Sequence, residues 1–189
     1  MFLSISEIAD IFIMTLVLGF VFKDFFRPVS PDHNLVRYYS LQKGFDYHGF
    51  LFAIAVTAPA IILHEFGHKF TAIFFGMNAV FHAAYFFLGV AVVLKLIGSP
   101  FIFFVPAYVS IPQTATPFQN TLIAFAGPFV NLLLWAFAKL MLKQKLKPKT
   151  RQIFWLTARI NMFLFIFNML PLPGFDGHHV FSSLFKVIF

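Results

Sequence analysis

Apolar residues gather into long runs along the chain, separated by stretches rich in charge, proline or glycine. The run IADIFIMTLVLGFVF at 8–22 follows Glu7 and meets no Lys or Arg before Lys23. It lacks the positive start of a signal peptide and reads as a retained transmembrane helix. Runs at 49–77, 118–142 and 153–177 each reach the roughly 20 residues a helix needs to cross a bilayer. The last is broken near its end by Pro171 and Pro173. Between them, 23–48 carries Lys23, Asp24, Arg27, Pro28, Pro31, Asp32, Arg37, Lys43 and Asp46, and 143–151 reads KQKLKPKTR. Both belong at the membrane surface or in water.

Residues 78–117 are less regular. NAVFHAAYFFL and FIFFVPAYVSI mix aromatic and β-branched residues with punctuating Gly and Pro, and GVAVVLKLIGS between them has the length of a short helix. The pattern predicts a re-entrant hairpin with a helical insert, the alternative being one short spanning helix over 80–98. Non-helical backbone is tolerated at membrane depth only where protein or a water-filled cavity satisfies it, so such a hairpin is expected to line a site.

Composition sharpens this picture. Of 189 residues, 60% are hydrophobic and only 11% charged, and the mean hydropathy is +0.84, which excludes an ordinary soluble domain. The net charge of +7 comes from residues lying mostly between the apolar runs. It reads as membrane topology, not as a nucleic-acid surface. There is no cysteine, so disulfides, thiolate metal sites and a cysteine nucleophile are excluded.

Against that background IILHEFGHKF, 61–70, is costly, because a charged side chain at the centre of a span is penalised by roughly 2.5–3.5 kcal/mol. Four residues apart on a helix, His64 and His68 present two imidazoles to one point, with Glu65 one step round: half of a zinc site with a base attached. The bland alternative is a pair of hydrogen-bonded core histidines. Catalytic zinc usually takes three protein ligands, and the candidates for the third are His82, Asp176, His178 and His179. Asp176 stands out because NMLPLPGFDG, 168–177, follows a proline-broken helix end from which a carboxylate can turn back into the bundle, although Asp before Gly is also a common turn pair.

Together HEFGH at 64–68, AGPFVN at 126–131 and NMLPLPGFDG at 168–177 resemble the site-2 protease family of intramembrane zinc metalloproteases. The resemblance runs from about residue 50 to 180. It implies an all-α polytopic membrane protein, a transmembrane helix bundle with a small re-entrant β-hairpin, acting as a single domain over 1–189. It further implies one Zn2+ per chain held by His64, His68 and Asp176, Glu65 as general base and acid, and Asn168 holding the substrate backbone. Gly127, Pro128 and Asn131 match a motif read as close helix packing rather than chemistry, and 103–111 resembles the family's re-entrant strand. The implied partners are transmembrane protein substrates and the bilayer, not nucleic acid, and the implied location is the cell membrane. His178 and His179 depart from the glycine and arginine often found there in relatives, and no room remains for a PDZ or CBS domain. The competing reading is a transporter using His64 and Glu65 as a proton relay. Arg159, within the last span, is read as an interfacial residue that snorkels to headgroups. The basic loops 23–48 and 143–151 fall on one side, cytoplasmic by the positive-inside rule, whereas the resemblance implies a site opening to the cytoplasm from the other.

Overall fold

The computed structural model describes residues 3–26, 44–99, 106–112 and 114–189. Helix α1 (Ile5–Phe22) opens with a capping box: Ser4 Oγ accepts from the Glu7 N–H, and the Glu7 carboxylate accepts from the Ser4 N–H. Helix α2 (Tyr47–Phe74) opens at Asp46, whose carboxylate accepts from the Gly49 N–H at 2.8 Å, and the chain turns away after it through Gly76 at φ +77°. At 28 residues it is about 42 Å long, more than a hydrocarbon core requires.

A two-stranded antiparallel sheet follows, β1 (Val80–Ala83) paired with β2 (Ala107–Ser110). Helix α3 (Tyr85–Leu96) is inserted between the strands. The hairpin with a helical insert is therefore the observed arrangement. At 12 residues, about 18 Å, α3 cannot span a bilayer. It begins four residues ahead of the GVAVVLKLIGS stretch, because the aromatic run YFFL turns directly into helix after β1. Of the strand read over 103–111, positions 103–105 lie outside the described residues. Met14 and Leu18 of α1, Phe81 of β1, Leu88 of α3 and Ala107 of β2 bury one another, so the re-entrant unit is mounted on α1. Asp24, just beyond α1, pairs with Lys95 near the end of α3. Burial would raise its carboxyl pKa, but hydrogen bonds from Lys95 and Lys23 outweigh this and hold it below the ordinary carboxylate value.

Helix α4 (Pro117–Met141) begins with a second capping box, Thr116 with Gln119, and Pro117 in its first turn. It packs against α2 and against α5 (Pro148–Asn168) and α6 (Asp176–Ile188). Among the described residues α1, α2 and α4 are the helices long and apolar enough to cross a membrane. The apolar run read as a single span over 153–177 is divided: α5 stops at Asn168, the chain turns through Pro171, Pro173 and Gly174 at φ +92°, and a new helix starts at Asp176. A second helix after the break was absent from the sequence reading. Prolines lacking N–H groups, followed by a residue in a left-handed conformation, cannot continue the α5 ladder.

Candidate metal centre

The helical spacing of HEFGH aims both imidazoles at α4, and α4 comes close because small residues face them. A Cβ on Gly67 would lie 2.7 Å from the Ala126 carbonyl oxygen. One on Gly127 would lie 2.6 Å from His68 Cε1 and 2.8 Å from His64 Nε2. Gly127 is thus the space the two rings occupy, a role beyond the packing read from the sequence.

The far side of each ring is fixed by a hydrogen bond. His64 Nδ1 lies 2.6 Å from Asn131 Oδ1, and His68 Nδ1 lies 2.7 Å from the Ile123 carbonyl oxygen. Asn131 uses its Nδ2 to donate to the Ala60 carbonyl at 3.1 Å and to Asn161 Oδ1 at 2.9 Å, so its Oδ1 faces His64 as an acceptor. Asn161 in turn donates to the Thr157 carbonyl. With both Nδ1 atoms donating, each ring in its neutral form presents the Nε2 lone pair inward.

Those Nε2 atoms lie 3.1 Å apart. Asp176, at the start of α6, brings Oδ2 to 3.1 Å from His64 Nε2 and Oδ1 to 3.4 Å from His68 Nε2. Asp176 Oδ2 is buried yet makes no hydrogen bond. Two lone pairs and an orphaned carboxylate oxygen facing one another repel unless a cation stands among them, so the donor set fits a divalent metal. Their ligand atoms all fall within 4.8 Å, and among the described residues these three form the group able to hold an ion. Gly177 seats the turn: a Cβ there would meet the Leu170 carbonyl oxygen at 2.6 Å.

Glu65 is buried beside the triad, and no described residue hydrogen-bonds its carboxylate. It opens with His64, His68 and Asp176 onto a cavity of about 850 Å³, whose wall also includes Asn168, Arg159, His179 and Pro106–Val109. Arg159 stacks over Trp155 at 4.3 Å on that wall, a neighbour the interfacial reading did not include. His82 lies apart on β1, 3.2 Å from Ser110 Oγ. His178 packs against His179 and is not part of the triad. Sequence reasoning missed Asn131 and Asn161 as supports of the site. Two asparagines at matching depth in apolar helices were the available signal, since a buried amide demands partners.

Comparison with known proteins agrees with this chemistry. MJ0611 of Methanocaldococcus jannaschii, whose name carries a zinc metalloprotease assignment, is 32% identical over 182 residues, covering 94% of this chain and 84% of its own length. The model of peptidase family M50 matches residues 136–189. The chain belongs to peptidase family M50. Rip2 of Mycobacterium tuberculosis, named in the same way, is 31% identical over 144 residues, 68% of this chain and 55% of Rip2. The M50 family model takes in Asp176 but not HEFGH, which falls within the longer match to MJ0611. No solved structure matches the chain. This M50 chain is a membrane-embedded zinc metallopeptidase, with a helical bundle and a small two-stranded sheet.

Proposed function

We propose that this peptidase hydrolyses peptide bonds in or near transmembrane segments of membrane proteins, in the cell membrane, with His64, His68 and Asp176 as zinc ligands and Glu65 as general base and acid. The observation that carries this reading is the orphaned Asp176 oxygen beside two inward-facing Nε2 atoms, with Glu65 on the same cavity wall. Bound zinc supplies Lewis acidity, polarising a carbonyl and making water more acidic. Glu65 accepts the proton of the attacking water and returns it to the leaving amine, so that one amide and one water give one new carboxyl terminus and one new amine terminus. Asn131 and the Ile123 carbonyl hold both imidazoles in the tautomer that ligation needs.

A peptide bond inside a transmembrane helix has its carbonyl hydrogen-bonded already, so the substrate unwinds locally, and each freed backbone group costs several kcal/mol in lipid. Strand β2 offers a remedy. The N–H groups of Phe81 and Ala83 point away from β2, while Ala84 donates to the Pro106 carbonyl. By the alternation of an antiparallel ladder, His82·Tyr108 and Val80·Ser110 are the bonded pairs, and Ala107 and Val109 turn their N–H and C=O groups outward. Both residues line the cavity. An unwound substrate adds there as a third strand, beside Asn168 and the metal ligands.

The test is metal analysis of purified wild type and Glu65→Gln together with cleavage of transmembrane substrates in proteoliposomes. One zinc per chain in both, with cleavage only in wild type, is the expected result. Equal metal content in wild type and a His64→Ala, His68→Ala double variant would sink the ligand assignment. Ion or proton flux without proteolysis would favour a transporter instead.

A further inference from the structure

The mechanism leaves unused a buried ion pair one residue from a proposed metal ligand. Lys69 is 1% exposed and Glu7 3% exposed, and the Lys69 ammonium donates to Glu7 Oε1 between α2 and α1. The same Glu7 oxygen accepts from the Phe81 N–H of β1 at 2.8 Å. One turn along α1, on the same face, Asp10 Oδ2 accepts from the Ala83 N–H at 3.1 Å, and Asp10 Oδ1 accepts from the Tyr85 hydroxyl. His82 faces Asp10 as well, its Nδ1 3.9 Å from Asp10 Oδ2. The chain has only seven acidic residues, and three of them, Glu7, Asp10 and Asp24, are committed to the re-entrant unit.

Burying a charge pair in an apolar bundle is rarely the cheapest way to gain stability, since apolar residues of similar volume often do as well. What this pair does that apolar packing cannot is define position along two directions. Glu7 and Asp10 take the two N–H groups of β1 that point away from β2, closing that edge of the sheet. Through Lys69 the same anchor is tied to the helical turn that carries His68. Resting on the substrate-strand reading above, we propose that Glu7, Asp10 and Lys69 are positioning residues: they leave the β2 edge as the sheet's single docking edge and set its register against the metal ligands, thereby selecting which peptide bond is cut.

A strand held less firmly slips in steps of two residues, because a slip of one would turn every side chain to the opposite face. The experiment maps cleavage products by mass spectrometry for one transmembrane substrate in proteoliposomes, alongside KM, kcat and zinc content. Wild type must bind zinc and cleave, and absence of either defeats the proposed function itself; cleavage by wild type at no dominant bond defeats the present inference alone. Against that baseline, Asp10→Ala is expected to retain full zinc, to raise KM about tenfold and to spread cleavage to bonds two residues away. Asp10→Asn, which keeps an acceptor for the Ala83 N–H, should restore the dominant bond. Glu7→Gln with Lys69→Gln, a neutral pair that still hydrogen-bonds, is expected to behave between the two. A single unshifted cleavage position and wild-type KM in Asp10→Ala overturn the inference, as does loss of zinc in that variant, which would mark a purely structural role. Should the double variant fail to fold, Asp10→Ala alone decides.

Discussion

Asn131→Ala separates the support of the metal centre from the packing of α4. Asn131 is completely buried and joins α2, α4 and α5 through three hydrogen bonds: from His64 Nδ1 at 2.6 Å, to the Ala60 carbonyl at 3.1 Å and to Asn161 Oδ1 at 2.9 Å. Removing the amide frees the His64 ring to rotate and leaves its Nδ1–H without an acceptor. Loss of an outer partner of a metal-bound histidine typically costs 10- to 100-fold in metal affinity, or about 1.4–2.7 kcal/mol. Three lost bonds at about 1 kcal/mol each add roughly 3 kcal/mol of lost fold stability. Zinc affinity is measured by competition with a chromophoric chelator in detergent, and stability by thermal unfolding of the metal-free protein. Asn131→Asp sharpens the test, since it keeps an acceptor for His64 but sets a carboxylate against the Ala60 carbonyl and Asn161 Oδ1. It should bind zinc within a few-fold of wild type while unfolding at lower temperature. If folded Asn131→Ala binds zinc within threefold of wild type, the amide does not orient His64 and the reasoning fails.

Gly127→Ala should lower zinc content well below one per chain, because its methyl would stand 2.8 Å from His64 Nε2; full occupancy by metal analysis would show that α4 can retreat. Val109→Pro removes a cavity-facing donor and should slow cleavage of transmembrane substrates sharply with zinc unchanged. Tyr108→Pro instead deletes a rung to His82 and should loosen the hairpin itself, seen as faster hydrogen exchange at β1; identical behaviour of the two would refute the assigned edge. Arg159→Lys should keep zinc binding and most cleavage activity, losing only about 1 kcal/mol of stacking on Trp155; complete loss of cleavage in a folded variant would give the guanidinium a role at the site.

Much of this molecule was readable without coordinates because its signals are local. A run long enough to cross a bilayer, a histidine pair one helical turn apart and a proline-broken helix end are properties of neighbouring residues, and the membrane raises the cost of any charge that lacks a purpose. The spans at α2 and α4, the hairpin with its insert and the suspicion falling on His64, Glu65, His68 and Asp176 came from that level. The two-part ending, α5 and then α6, was blurred because hydrophobicity continues across Pro171 and Pro173 while backbone direction does not.

What only the tertiary structure decided are relations between segments far apart in sequence. Asn131 lies 67 residues from the ring it orients, and Glu7 lies 74 residues from the β1 N–H it accepts from. No periodicity predicts either contact. An amide in a helix reads the same whether it faces a neighbour's glycine or a ligand's nitrogen, and a carboxylate near a chain start reads as a cap, which Glu7 also is. Sequence determined which side chains were too polar for their surroundings. Which partner repays each of them depends on how closely helices approach, and that distance is set by the glycines at 67 and 127 acting together across the α2–α4 contact.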